Sequence, residues 1–166
     1  RIYVEPVLKT LNDAGVRYLV VGGVAVVLHG FLRTTGDLDL VVQLRSENLL
    51  RALDALERAG FMPRPPVALR SFADAETRRS WIATKNLQVF SLWHADLPGF
   101  EVDLFVEEPF DFDEVWGRRI EVALESTHAP VLGLGDLLEL KRQAGRAQDL
   151  EDVAALEALS RGDDDV

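Results

Sequence analysis

The stretch VVGGVAVVLHGFLRTTGDLDLVV, residues 20–42, decides the fold, because it sets a glycine pair after one apolar run and two aspartates inside another. Its periodicity and flanks predict two buried strands and, between them, a short buried helical segment, at residues 16–21, 37–43 and 24–29 respectively. Alternate residues of a strand point to the same face, so Asp37 and Asp39 stand side by side.

The two aspartates pose a chemical problem that a bound cation solves. Carboxylates a few ångströms apart repel each other, and at a partly dry site they protonate unless a cation lies between them. Mg²⁺ is the natural candidate, because it prefers oxygen ligands and commonly takes one or two carboxylates together with substrate phosphates. Taken alone, a D-x-D pair on a strand is more often a solvated face than a metal site.

A third acid strengthens the metal-site interpretation. Asp103 lies within EVDLF on another predicted strand, and Glu101 shares its face as an alternative ligand. Three acids from two strands are what a two-metal phosphoryl-transfer site needs.

The glycine pair predicts a place for phosphate. Gly22 and Gly23 follow a strand and open a helical segment, so free backbone N–H groups and the positive end of a helix face the strand end. The pair matches neither the P-loop pattern nor the dinucleotide pattern. Considered alone, it is also typical of a tight strand-to-helix turn.

Two basic residues are candidates for contact with that phosphate. Lys141 completes the leucine face of its predicted helix, where a lysine either snorkels outward or reaches a buried anion. We expect it to contact the site. Arg33, in the loop before Asp37, is expected to touch phosphates or to pair with the aspartates. Arg146 and Asp149 are expected instead to form a structural pair with each other at the junction of two helices.

The remaining periodicity completes an α/β (α+β) domain with a small mixed sheet flanked by helices. Ser46 and Asp136 are predicted helix N-caps. A turn-rich link, HADLPG, predicts that the first two of the later strands form a hairpin. The predicted helices cover residues 5–14, 46–59, 134–144 and 147–159, and the later strands cover residues 87–93, 100–107, 119–124 and 129–132. We expect residues 1–160 to form one domain, followed by an acidic tail at residues 161–166.

Composition narrows the possible functions. The 166-residue chain has a net charge of -10 and no cysteine, so disulfides, cysteine zinc sites and thiol nucleophiles are excluded. Its acidity argues against general binding to DNA. No apolar run reaches the roughly 18 residues that span a bilayer, and the N-terminus lacks the pattern of a secretion signal. These features predict a cytoplasmic protein that does not enter a membrane.

Residues 61–86 form a locally basic segment in this acidic chain. The segment contains five basic residues and only two acidic ones, and Phe72 and Trp81 lie between them in the sequence. Such a segment is either a solvated helix and loop or a surface that faces a substrate. The sequence leaves both open.

Together these residues resemble a known superfamily. A glycine turn, then D-x-D on the next strand, then an aspartate on a later strand is the pattern of the nucleotidyltransferases that include DNA polymerase beta. More narrowly, residues 20–42 and the segment DLLELKRQAGRAQDLEDVAAL resemble the minimal bacterial and archaeal nucleotidyltransferases related to AbiEii-type toxins. The resemblance covers roughly residues 18–156.

The resemblance implies an activity and its metal. The reaction would be Mg²⁺-dependent transfer of a nucleoside monophosphate from an NTP to a hydroxyl or phosphate acceptor, with release of pyrophosphate. Asp37 and Asp39 would hold two Mg²⁺ ions, with Mn²⁺ as an alternative, and Asp103 would complete the catalytic metal site and take the acceptor's proton.

The resemblance also implies a nucleotide site and leaves the acceptor open. Gly22 and Gly23 would cradle the β and γ phosphates, while Lys141 and Arg33 offset their charge. The hydroxyl of the Gly-Ser turn found in many relatives is absent here. The acceptor would be RNA, protein or a small molecule, and the partner an antitoxin or a second copy of the chain. The alternative is a non-catalytic module that binds a nucleotide or a partner.

Overall fold

The computed structural model describes residues 3–162, which form a mixed seven-stranded sheet in the order β3-β4-β5-β2-β1-β7-β6. The strands are β1 (Tyr18–Val21), β2 (Asp37–Val42), β3 (Phe61–Pro63), β4 (Val89–His94), β5 (Glu101–Phe105), β6 (Ile120–Ala123) and β7 (His128–Val131). The predicted mixed sheet with flanking helices is confirmed.

Helices follow or connect these strands in two packed groups. They are α1 (Val4–Asp13), α2 (Gly22–Leu28), α3 (Ser46–Arg58), α4 (Ala75–Lys85), α5 (Phe112–Trp116), α6 (Leu134–Ala144) and α7 (Ala147–Ser160), with a short 3-10 helix at Leu69–Ala73. Helix α1 packs against α3, whereas α2 packs against α6, which in turn packs against α7. Among the described residues, no helix is both long and apolar enough to cross a membrane.

The centre of the sheet is built as the sequence predicts. All four residues of β1 are buried between antiparallel β2 and parallel β7. Leu38 and Leu40 of β2 are fully buried, while the aspartates that alternate with them remain accessible or half-buried. The predicted hairpin of β4 and β5 is confirmed. The strands predicted at residues 119–124 and 129–132 are also confirmed, as β6 and β7, which pair with each other.

The locally basic segment, residues 61–86, consists mostly of regular secondary structure. It holds β3, the 3-10 helix and α4. Trp81 is buried and stacks on Phe90 at a ring distance of 5.3 Å, and Phe72 is fully buried. Arg78 is buried as well and donates to the Phe72 carbonyl oxygen at 2.6 Å. The interleaved aromatic residues therefore belong to the core, and the alternative of a substrate-facing surface stays open only for the other basic residues of the segment.

Two predicted helix caps are also wrong. Helix α3 begins at Ser46, so the capping position is Arg45, and no side chain caps the helix there. Gly133 occupies the capping position of α6. Asp136 instead accepts two hydrogen bonds from Arg118, at 3.0 and 2.9 Å. The division into one domain and an acidic tail stays a prediction, and residues 163–166 of that tail lie outside the described residues.

Candidate functional site

Parallel pairing of β2 and β5 brings the predicted acids onto one face of the sheet. Asp39 lies opposite Asp103, and Asp37 lies opposite Glu101, in the register of the two strands. Because directly paired residues point to the same face, all four carboxylates share a surface. Ser91 of β4 is paired with Asp103 from the other side.

The carboxylates disturb one another's ionisation. Burial, followed by the charges of Asp103 and Asp37, raises the pKa of Asp39 to about 7. Burial also raises the pKa of Asp103, although a hydrogen bond from the Ser91 hydroxyl lowers it in part. Asp39 donates to Asp103 when it is protonated, so the pair shares a proton at neutral pH in the absence of a cation.

One oxygen of this pair has no partner. Asp103 Oδ1 is buried and makes no hydrogen bond to any residue between 3 and 162. A buried acceptor beside a second carboxylate fits a bound divalent cation, which would satisfy the oxygen and relieve the repulsion. Within the described residues no three acidic or imidazole side chains are close enough together to hold a metal ion. The part of the metal site that is already in place is therefore the Asp39–Asp103 pair, with the exposed Asp37 beside it.

Replacing Asp39 by asparagine is expected to stabilise the metal-free protein at pH 8. The pKa of Asp39 is about 7 in the folded protein and about 3.9 in an unfolded chain, so its ionisation disfavours the folded state. The contribution of Asp39 to stability is therefore fully present below about pH 4 and is lost as the pH rises through about 7. Asp39→Asn removes this loss, and we expect a gain of about 2 kcal/mol at pH 8 and less at pH 5. Urea unfolding in EDTA measures the gain, and an equal gain at both pH values contradicts the electrostatic cause.

The glycine turn lies directly against the acid pair. Gly22 has a φ of +66°, and a Cβ at this position would overlap Asp39 Oδ2. Only glycine combines this backbone conformation with this close approach. The predicted phosphate turn and the predicted metal strand are therefore adjacent in the fold.

The second glycine is enclosed by the loop that precedes Asp37. A Cβ on Gly23 would lie 2.5 Å from Thr35 Oγ1 and 3.0 Å from Arg33 Nη2. The loop residues thus fill the space that a side chain at position 23 would take.

The two predicted basic residues are engaged by carboxylates of α7. Lys141 Nζ lies 3.0 Å from both Asp149 and Asp152, and their side chains are only 7%, 1% and 0% exposed, respectively. Arg33 Nε lies 2.9 Å from Asp152 Oδ1. Lys141 does not snorkel to the surface but reaches buried anions, as one of the two alternatives predicted. These anions are the carboxylates of Asp149 and Asp152, not a phosphate. Arg33 pairs with neither Asp37 nor Asp39.

The role of Asp152 and the full role of Asp149 were not predicted from the sequence. The predicted pair of Arg146 with Asp149 is confirmed at 2.7 Å, yet the same carboxylate also binds Lys141. Burial by itself would raise the pKa of Asp149 and Asp152, but hydrogen bonds from Arg146, Lys141 and Arg33 hold both pKa values below the usual range. A signal was present, because both acids follow the buried face of α7 with Val153 and Leu156 at helical spacing.

A cavity of about 620 Å³ opens beside Asp37. Its apolar wall comes from α1, α2 and the loop before β2, and its charged wall includes Glu5, Asp37 and Glu125. Small-molecule sites commonly have volumes of about 300 to 1,000 Å³ and similarly mixed linings. The cavity is therefore large enough for a drug-sized molecule next to the acids.

Two solved structures resemble the whole chain. One is the lincosamide antibiotic adenylyltransferase LnuA with bound lincomycin, which has a TM-score of 0.61 and 16% identity over 93% of this chain and 94% of its own. The other is ANT(2")-Ia in complex with adenylyl-2"-tobramycin, which has a TM-score of 0.60 and 13% identity over 97% of this chain and 88% of its own. The chain has a nucleotidyltransferase fold.

The nucleotidyltransferase fold agrees with the superfamily that the sequence resembles. No protein-family model matches the chain, and no curated protein sequence is significantly similar to it. At such low identities the likeness shows the fold alone. The function of this fold in this chain therefore depends on its own carboxylates, glycine turn and cavity.

Proposed function

We propose that the chain transfers a nucleoside monophosphate from an NTP to a hydroxyl group of an acceptor and releases pyrophosphate. The observation that carries the proposal is the Asp39–Asp103 pair, with one orphaned oxygen, lying against the Gly22 turn. Unpaired acids beside a turn that admits no side chain are an unfavourable arrangement for stability, and such arrangements cluster at functional sites.

In this proposal the acids hold Mg²⁺ and handle the acceptor's proton. Asp39 and Asp103, with Asp37 beside them, would hold the metal, which when bound offsets the charge of the phosphates and polarises them. Asp103 accepts the proton of the acceptor hydroxyl, a role that its raised pKa suits. The acceptor oxygen then bonds to the α phosphorus, and the bond to the β-phosphate oxygen breaks. Gly22 and Gly23 bind the β and γ phosphates through their backbone N–H groups.

Lys141 and Arg33 have a supporting role in the proposed reaction. Both cations are already compensated by buried carboxylates of α7, so direct phosphate contacts would require those pairs to break. We infer that Arg33 fixes α7 against the loop that carries Thr35 and leads to Asp37, and that Lys141 fixes α6 against α7. The positive charge of Lys141 still favours ionised Asp39 and lowers its pKa in part.

The acceptor we favour is a small hydroxyl-bearing molecule in the cavity beside Asp37. The cavity volume of about 620 Å³ supports it, as does the similarity to two proteins whose structures contain lincomycin and adenylylated tobramycin. The narrower resemblance to AbiEii-type toxins predicts RNA or protein acceptors and an antitoxin partner, and it stays a prediction from the sequence.

Labelled NTPs test the proposal directly. The protein is incubated with Mg²⁺ and each of the four α-³²P-labelled NTPs, in separate reactions with a pool of small hydroxylated compounds, with RNA, or with protein. We expect pyrophosphate release and a labelled small molecule, both of which EDTA abolishes.

The same experiment separates catalysis from binding alone. If the protein binds an NTP with Mg²⁺ at millimolar concentration but labels none of the acceptors and releases no pyrophosphate, the non-catalytic module is the better account. If it binds no NTP, the proposed function is wrong. Label on RNA or protein instead of the small molecules retains the transfer activity but overturns the proposed acceptor.

A further inference from the structure

We infer that the outer edge of β6 binds a second copy of this chain, whose own β6 pairs with it in antiparallel orientation across a twofold axis. β6 is the last strand of the sheet, and between residues 3 and 162 no strand pairs with its outer side. Most of the strand is exposed. The inference does not depend on the function proposed above.

The first argument is the direction of the main-chain hydrogen-bonding groups. In an antiparallel pair, residues whose N–H and C=O groups point to the partner strand alternate with residues whose groups point away. Leu124 N donates to the Thr127 carbonyl oxygen at 2.9 Å, so by alternation the groups of Glu121 and Ala123 point away from β7. Pro130, which has no N–H, lies opposite Glu121 and agrees with this assignment. No hydrogen bond from a helix or loop of the described residues reaches these outward groups.

The two edges of the sheet differ in how well they are protected. At the other edge, β3 is short and ends in Pro63, which cannot donate a hydrogen bond to an added strand. β6 contains neither proline nor glycine. Charged residues can also protect an edge, but the charges along β6 differ in sign. They can therefore attract a strand that carries the same sequence in the opposite direction.

One register of two β6 strands satisfies the outward groups and covers the apolar side chains. With Val122 opposite the partner's Val122, the outward groups of Glu121 face those of the partner's Ala123, and hydrogen bonds form in both directions across the axis. Ile120 then lies opposite the partner's Leu124. Ile120 is 37% exposed, and Val122 and Leu124 are half-buried. Pairing would cover the accessible parts of all three, and such apolar pairs stabilise a sheet.

Charge selects this register over its neighbours. Arg119 lies opposite the partner's Glu125, and its Nη2 is free for that contact within residues 3–162, because Nε donates to Glu121 and Nη1 to the Trp116 carbonyl oxygen. Moving the axis by one residue in either direction sets Glu121 opposite the partner's Glu121 or the partner's Glu125. Like charges that lie directly opposite destabilise a sheet. The register centred on Val122 avoids both contacts.

This pairing would also change the cavity of about 620 Å³, because Ala123, Leu124 and Glu125 line it. The partner's Arg119 would lie against Glu125. The second copy would thus add a basic residue to the charged wall of the cavity.

A proline substitution tests the edge. We expect sedimentation equilibrium of the wild type to show a dimer at micromolar to millimolar concentration. Ala123→Pro removes an N–H that faces away from β7, a position where an edge strand tolerates proline. We expect about a hundredfold weaker dimerisation, because both symmetry-related N–H donors are lost. Ala123→Ser keeps the N–H and is the matched control, with dimerisation within about twofold of the wild type.

Charge reversal tests the register. Glu125→Arg and Arg119→Glu each place like charges opposite one another in their homodimers, so we expect each variant alone to dimerise at least about tenfold more weakly. In a mixture of the two variants every such pair has opposite charges again. Native mass spectrometry of the mixture is expected to show the heterodimer in excess over both homodimers, while circular dichroism shows that each variant is folded.

The outcomes of these experiments are decisive without any activity measurement. A wild-type protein that stays monomeric at millimolar concentration overturns the inference. So does a dimer that Ala123→Pro leaves intact, because that dimer must use another surface. Two folded charge variants that do not combine contradict the proposed register. None of these results depends on nucleotide transfer, so failure of the proposed function leaves the inference unchanged.

Discussion

Asp39→Asn is expected to lower nucleotide transfer by about a thousandfold while the protein remains folded. Asparagine keeps the shape of the Asp39 side chain but removes its negative charge, at a position directly opposite Asp103. Removing a charged group that acts on the reacting phosphates commonly lowers the rate by about a hundredfold to a thousandfold. The rate is measured as labelled product formed at saturating NTP, with Mg²⁺. Asp103→Asn is expected to lose at least as much, because it removes the proton acceptor as well.

Stability and a neighbouring acid provide the controls. The same Asp39→Asn change is expected to raise the stability of the metal-free protein, so lost activity cannot come from unfolding. Such opposite effects on activity and stability are typical of a functional site. Glu101→Gln removes a charge from the same face, but Glu101 pairs with Arg64 at 2.9 Å and lies farther along the strand, so we expect less than a tenfold loss. Equal losses in Asp39→Asn and Glu101→Gln would contradict a specific role for Asp39.

The acid face could be predicted because its geometry is local. Asp37 and Asp39 share a face through the period of two in a strand, and Asp103 sits in a strand of the same pattern. Only the parallel register of β2 and β5 had to come from the fold, and it places Asp39 opposite Asp103. The contact between Gly22 and Asp39 follows from the antiparallel pairing of β1 and β2, in which Val21 lies opposite Asp39.

The partners of Lys141 could not be predicted because they depend on helix packing. The leucine spacing of α6 predicts that Lys141 lies on a buried face, but the anion that it reaches is determined by how α6 packs against α7. Position 35 had no sequence signal either, because its closeness to Gly23 depends on the path of an irregular loop. Strand β3 was missed since Phe61–Pro63 is short and ends in proline, which an edge strand tolerates.

Lys141→Met is expected to destabilise the protein by about 3 to 5 kcal/mol at pH 8, the usual effect of removing one partner of a buried ion pair. The substitution keeps the length of the side chain but leaves Asp149 and Asp152 buried without their shared cation. Arg146 and Arg33 still contact one of these carboxylates each, which limits the loss. Urea unfolding at constant pH measures the change in the free energy of unfolding.

Lys9→Met is the matched control, because Lys9 forms an exposed pair with Asp13 at 2.9 Å and should contribute less than about 1 kcal/mol. The pH dependence gives a second check. Without Lys141 each of the two carboxyls loses one of the hydrogen bonds that lower its pKa, so protonation relieves the variant and its deficit shrinks between about pH 8 and pH 4. A Lys141→Met protein that unfolds like the wild type yet binds a non-hydrolysable ATP analogue with Mg²⁺ at least tenfold more weakly would contradict the structural role, because that pattern requires Lys141 to contact phosphate.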